Sequence, residues 1–276
     1  MATRWTLGRS LTVGVLLILS GIYLMPLYWM LTGSFQPVTN TLKVPPDFFP
    51  PSPTLANYQR LLDGTLTPRW FFNSCLVSAV AAVGAVVTSS TAGYVLGARK
   101  FPGSRVLFYT VVISMALPSA VTLVPLFLIM RDLGWINSYA GLIAPDIAYP
   151  FGVFLMRQFM HTVPHELFDA AKVDGGSELQ IFTRIVLPLT RPALGAIAIF
   201  AFISSWTNYI WQVVITNSEE LQTLPVGIAK LASGYQNFDL GLAMAGATVA
   251  FLPMLLIFLF FQGYFTKGIT SGALKG

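Results

Sequence analysis

The chain has 276 residues, 55% of them hydrophobic and only 10% charged, with a mean hydropathy of +0.69. A soluble domain carries about 25% charge to cover its surface, and a disordered chain is more polar still, so both are excluded in favour of a helical membrane protein. With one cysteine, Cys75, and two histidines, His161 and His165, an internal disulfide framework is excluded and a four-ligand structural zinc site is not expected.

Crossing a bilayer takes about 20 mostly apolar residues. Runs 11–42, 71–98, 106–130, 192–218 and 240–266 are free of charge, and 133–156 holds only Asp146. Trimming these predicts six transmembrane helices, at about 11–32, 71–98, 106–130, 138–157, 192–215 and 241–265, in one membrane domain covering 1–276. The first run follows Arg4 and Arg9 like a signal peptide. It is longer than a usual signal core, has no Ala-x-Ala site after it, and runs on into Tyr28 and Trp29, which suit an interface anchor. It is therefore expected to be a retained helix.

Segment 34–70 contains seven prolines, from Pro37 to Pro68, which favour extended, capping structure over helix. In the second helix Ser89, Ser90, Thr91, Ala92, Gly93 and Gly97 leave a small-residue surface, a close-packing signature in lipid. Asp146 is the only charge within an expected span. A carboxylate at the bilayer centre costs about 2.5–3.5 kcal/mol, so Asp146 should line a wet cavity or lie in an irregular turn beside Pro145 and Pro150.

The loops set the orientation. With both termini in the cytoplasm, the inside segments hold eleven Lys and Arg and the outside segments five. That asymmetry supports the assignment and accounts for the net charge of +5 without nucleic acid. Segment 34–70 is then extracytoplasmic and segment 161–190 cytoplasmic.

Segment 161–190 carries the most information. Pro164 suits a first helical turn, Glu166 and Asp169 the positive end of that helix, and Gly175 and Gly176 its stop. Ser177 and Gln180 have capping-box spacing for a second helix. Leu179, Phe182, Ile185 and Val186 fall on one face at helical spacing. Such a hairpin either rests on lipid headgroups or docks a cytoplasmic partner.

The pattern Asp169-Ala170-Ala171, Asp174-Gly175, then Phe182, Ile185, Leu187-Pro188-Leu189 and Pro192 resembles the EAA loop of ABC-importer permeases. Here Asp169 stands where that pattern has Glu, and Gly176 where Ala is common. Arg69-Trp-Phe-Phe-Asn73-Ser74, Pro125-Leu-Phe with Leu133-Gly-Trp-Ile-Asn137, Ser205-Trp206, Leu224-Pro-Val-Gly227 and the tail from Lys267 extend the likeness over nearly the whole chain. They resemble carbohydrate-importer permeases of the maltose (MalG) type, inner-membrane components of binding-protein-dependent transport. Trp206-Thr207-Asn208 departs from that family's usual Trp-Asn-acidic pattern.

The resemblance implies an all-α membrane protein of type I ABC-importer permease architecture in the bacterial plasma (inner) membrane. It implies a transporter subunit rather than an enzyme, importing sugar by alternating access. Glu166, Asp169, Ala170, Ala171, Asp174, Gly175 and Phe182 would couple it to a separate ATPase. The chain has no Gly-x-x-x-x-Gly-Lys-Ser/Thr phosphate loop, so ATP and Mg would belong to a dimer of ATP-binding partner subunits, with no cofactor here. A second homologous permease and an extracytoplasmic solute-binding protein would complete the assembly. Asp146, Trp206, Asn208, Tyr209 and Trp211, with Gln212, are the candidate pathway residues. Aromatic rings stack on sugar faces and amides pair with hydroxyls, although an interfacial aromatic belt uses the same residue types. An amino-acid or peptide ABC permease and an ion-driven secondary transporter are the alternatives. The latter usually carries several intramembrane ionisable groups, where this chain shows one.

Overall fold

The computed structural model describes residues 7–37, 47–99, 101–233 and 239–273, with the side chains of residues 7, 9 and 262–273 outside that description. In chain order the helices are α1 (Leu7–Ser34), α2 (Ala56–Asp63), α3 (Thr67–Ala98), α4 (Ser104–Ala116), α5 (Ser119–Asp132), α6 (Tyr139–Ile147), α7 (Pro150–Met160), α8 (Glu166–Val173) and α9 (Glu178–Ile181). A π-helical turn (Phe182–Val186) leads into α10 (Leu187–Leu189), followed by α11 (Arg191–Trp206), α12 (Ile210–Ile215), a 3₁₀ turn (Glu219–Leu221), α13 (Leu224–Ala232) and α14 (Leu240–Ala273). No strand occurs among the described residues.

Among the described residues four stretches are long and apolar enough to cross a membrane: Ser10–Ser34, Thr67–Ala98, Tyr139–Met160 and Leu240–Phe261. Two bent pairs qualify when each is taken as one span. The first pair is α4 and α5, which meet at 107° where the sequence predicts one helix over 106–130. Leu117 and Pro118 are both extended there, with ψ of 125° and 133°. Proline disfavours helical backbone at the residue before it and supplies no N–H, which suits a place where the helix stops and restarts. The second pair joins the 178–189 run to α11 at 79°, at Thr190, just before Pro192 at the start of α11.

The expected fourth and fifth helices are interrupted too. Helix 138–157 breaks at Ala148 and Tyr149, before Pro150 opens α7. Helix 192–215 breaks at residues 207–209, between α11 and α12.

The chain forms two compact units, one of residues 1–68 and 227–252 and one of residues 69–226 and 253–276. In the first, α1 turns its apolar side chains outward, Leu17 and Ile18 among them. So much exposed apolar surface requires lipid or a protein partner. Residues 47–55 fold back on the end of α1: the Tyr28 hydroxyl donates to Phe48 O at 2.8 Å and Thr54 N to Phe35 O at 2.9 Å. Asn57 of α2 is fully buried and donates to Ser34 O and Gln36 O. That short helix, absent from the Pro-rich reading of 34–70, forms where the prolines pause between Pro53 and Pro68. Lys43, Pro45 and Pro46 of that segment lie outside the described residues.

In the second unit α3 is the central post. Its small surface receives α7: a Cβ at Gly93 would lie 2.5 Å from Met156 Cβ, and one at Gly97 2.7 Å from Met160 Cβ. Thr88 and Ser89 give their hydroxyls to Ile147 O at 2.6 Å and Tyr149 O at 3.3 Å. Ile147 O is a carbonyl freed by the α6–α7 break, while Tyr149 O also accepts from Gly152 N and Val153 N; in lipid a broken helix is tolerated when side chains satisfy such freed groups.

Candidate functional site

The 161–190 hairpin is built from two capping devices. At the end of α8, Gly175 takes φ +76°. Gly176 N donates to Ala171 O at 2.9 Å and Gly175 N to Lys172 O at 3.0 Å. These are the paired bonds of a Schellman ending, which needs the left-handed residue. Gly176 is required for a second reason, since a Cβ there would stand 2.8 Å from Ala171 O. Two residues on, Ser177 Oγ accepts from Gln180 N and Gln180 Oε1 accepts from Ser177 N, closing the capping box.

One side of the hairpin is sealed into the second unit. Phe168, Ile181 and Val186 share an apolar core with Tyr94 of α3, Met156 and Met160 of α7, and Ala193 and Ile197 of α11. Of the face expected from helical spacing, Val186 and Phe182 meet this core and Leu179 does not. Leu179 is 71% exposed, while Ile181 and Val186 are 1% and 0% exposed, because the π turn brings residues five apart onto one side. Phe182 and Ala171 are partly buried against this core, Phe182 with its ring 5.5 Å from that of Tyr94. Phe168 and Ile181 are anchors the spacing argument missed. Nothing in the sequence separates Phe168 from the exposed Leu167 beside it.

The opposite side is open. Glu166, Asp169, Ala170, Asp174 and Gly175 are exposed. Ala171, Asp174, Gly175, Gly176, Gln180 and Arg184 line a shallow groove of about 360 Å³ between the two arms. The open side thus mixes small and acidic residues with Lys172, Arg184, Val173 and Leu179, above a packed apolar core.

Glu178 joins the hairpin to the end of α3 through an ion pair with Arg99. Desolvation alone would raise the Glu178 carboxyl; hydrogen bonds from Tyr94 and Arg99, with the charges of Arg99 and Lys172, outweigh it and hold it below the usual carboxylate range. His161 is held below the usual imidazole range by desolvation, then by Arg157 and His165.

The expected pathway residues have different surroundings. Asp146 lies in the last turn of α6, beside the α6–α7 break. Its carboxyl faces the Ser205 hydroxyl of α11, yet Asp146 Oδ2 and Ser205 Oγ are both buried without a hydrogen-bond partner. Trp206 is buried, edge-on to Phe71 and stacked on Phe202. Trp211 is buried, its indole N–H donating to Gly141 O at 3.0 Å. Asn208 accepts from Trp211 N in the first turn of α12. Of the aromatic rings in this set, that of Tyr209 is exposed. Gln212 is buried, donating to Ser205 O and accepting from Thr223.

Polar contacts hold residues 217–224 against the start of α3 and the α5–α6 turn. Trp70 donates to Glu219 O, Asn73 to Glu220 O and Gln222 O, and Ser74 Oγ accepts from Leu224 N. Tyr139 donates to Asn73 Oδ1. Asn137, at φ 54°, accepts from Asn217 N, Ser218 N and Ser218 Oγ. Among the described residues no cluster of three or more His, Cys, Asp or Glu could hold a metal ion.

Residues 89–271 match the family of binding-protein-dependent transport system inner membrane components. The chain is 39% identical over 264 residues to an arabinooligosaccharides transport system permease of Bacillus subtilis, covering 94% of this chain and 93% of that one. It is 32% identical over 275 residues to a trehalose/maltose transport system permease of Thermococcus litoralis, covering 98% of each. Its fold matches a chain from the crystal structure of a bacterial ABC transporter involved in import of the acidic polysaccharide alginate, with a TM-score of 0.81 at 22% identity, over 95% of this chain and 99% of that one. The chain thus belongs to the binding-protein-dependent inner-membrane components, the permease subunits of ABC importers, and is a multi-pass transport protein of the plasma membrane.

Proposed function

We propose that this permease forms half of the translocation pathway of a sugar importer, six spans crossing the membrane with both termini in the cytoplasm. The 161–190 hairpin then lies on the cytoplasmic face. Glu166, Asp169, Ala170, Ala171, Asp174 and Gly175 dock it in a cleft of an ATP-binding subunit, and Phe182 helps tie it to the membrane helices. Two such ATPase subunits, binding ATP and Mg, a second homologous permease and an extracytoplasmic solute-binding protein complete the assembly. When the ATPase closes on ATP the hairpin follows, and its rigid backing passes that movement into α3, α7 and α11.

The observation that carries this reading is the anchoring of the hairpin on one side in a core shared by α3, α7 and α11, while Asp169, Ala170, Asp174 and Gly175 stay exposed on the other beside Lys172 and Val173.

On the solute side, Asp146 is the pathway residue best supported, because it sits beside the α6–α7 break with one carboxylate oxygen, Oδ2, left without a hydrogen-bond partner that a sugar hydroxyl would supply. Trp206, Asn208, Tyr209 and Trp211 stand around the α11–α12 break, where unwound backbone lines cavities in transporters. Trp206, Trp211 and Asn208 hold that break in shape, and Tyr209 is open to a solute.

The test is extraction of the tagged protein from its native membrane in mild detergent, with identification of what accompanies it. A second permease and a phosphate-loop ATPase, together with uptake of arabino-oligosaccharides, trehalose or maltose by the reconstituted assembly, support the proposal. A chain that purifies alone and transports on an ion gradient overturns it.

A further inference from the structure

Besides the close-packed apolar core beneath it, the hairpin is held by directional polar contacts. The directional contacts come from one residue beyond the end of α3. Arg99 N still bonds to Val95 O at 3.2 Å, so Arg99 continues that helix. Its guanidinium donates to Glu178 Oε2 through Nη2 at 2.5 Å and Nε at 3.1 Å. Tyr94 donates to the same oxygen at 2.9 Å and accepts from Arg99 Nη2. The guanidinium also lies 5.1 Å from the Tyr94 ring centre and 5.7 Å from that of Phe168. Lys172 Nζ stands 3.7 Å from the other Glu178 oxygen.

Arg99 therefore touches both arms of the hairpin at once, the Phe168 ring on α8 and the Glu178 carboxylate on α9. We propose that Arg99 and Glu178 form the latch through which hairpin movement is delivered to α3, with Arg99 as the positioning residue for energy coupling. Three features carry the inference. The groups it joins lie 79 residues apart in sequence and on separate elements. The contact is charge-assisted, and the Tyr94 hydroxyl joins both guanidinium nitrogens on the same Glu178 oxygen, so α3 and Arg99 together hold that carboxylate. The pair is too exposed, at 22% and 59%, to act chiefly as a source of stability. A hairpin turning as one body cannot move without displacing the end of α3 while the latch holds.

The inference rests on the docking role proposed above, and its test separates the two. The importer is reconstituted in vesicles with Arg99→Glu, Glu178→Arg, the double exchange and the milder Glu178→Gln. ATP hydrolysis, solute uptake and retention of the ATPase are read in the same preparations. Retained ATPase and hydrolysis, with uptake per ATP reduced about fivefold in the single reversals and restored to within about twofold in the double exchange, support the latch. Unchanged uptake per ATP in the single variants, or a double exchange no better than either, overturns it. An unaltered chain that retains no ATPase overturns the docking role, and the latch as a coupling element with it.

Discussion

Ile181 and Val186, five residues apart, close on the same apolar core, both essentially inaccessible to solvent. In an unbroken α-helix that spacing would put them on different faces; the π turn over 182–186 aligns them. Ile181→Ala should then destabilise the protein by about 2–5 kcal/mol, the range for a truncated core aliphatic. Leu179→Ala should stay within about 0.5 kcal/mol, as for an exposed site. Thermal unfolding in detergent distinguishes the two, and a larger loss at Leu179 would restore the regular helical face.

Gly175 is the hinge of the hairpin because its φ of +76° lies outside what L side chains readily adopt. Gly175→Ala should weaken the turn by about 1–2 kcal/mol. Gly175→Pro cannot take that φ at all, being locked near −65°. It should abolish ATP-dependent uptake while membrane insertion stays normal, and normal uptake would remove the hairpin from the coupling machinery.

Asp146 Oδ2 has no hydrogen-bond partner among the described residues although it is buried. Asp146→Asn should raise the solute concentration needed for half-maximal uptake if the carboxylate meets the solute. Unchanged affinity and rate in transport assays would make its role structural, at the α6–α7 break.

The Arg99–Glu178 contact should depend on pH with a definite sign. The Glu178 carboxyl is held below its ordinary range, so the folded protein binds its proton more weakly than the unfolded chain. Its contribution is complete above the ordinary carboxylate range and is lost as pH falls through the lowered value. Unfolding of the native protein and of Glu178→Gln, compared across pH, should differ near neutrality and converge in acid. A difference that survives in acid would mean that the charge is not what matters.

Asn137 combines a left-handed backbone with three hydrogen bonds to Asn217 and Ser218. Asn137→Gly keeps the backbone freedom and loses the bonds; Asn137→Ala loses both. Each should destabilise the 217–218 turn, the alanine by about 1 kcal/mol more than the glycine. Equal losses, read by hydrogen exchange at 217 and 218, would show that the bonds alone matter.

Much of this molecule is legible in its sequence because the bilayer enforces a one-dimensional rule. A stretch of about 20 uncharged apolar residues has few other places to go, and the long helices over Leu7–Ser34, Thr67–Ala98 and Leu240–Ala273 follow from it. The hairpin ends were legible for the same local reason: a Gly pair and a Ser-x-x-Gln spacing act within a few residues. Hydropathy could not reveal the breaks at Leu117–Pro118, Ala148–Tyr149 and residues 207–209, since an interrupted span is as apolar as a straight one. At the α6–α7 break a distant group meets the freed backbone, the Thr88 hydroxyl donating to Ile147 O. The choice of Phe168 over Leu167, and of Ile181 over Leu179, was likewise made by packing against α3, α7 and α11. The Arg99–Glu178 pair belongs wholly to the tertiary structure. Local chemistry fixes where a chain turns, and only the assembled neighbours decide which side chains the turn brings together.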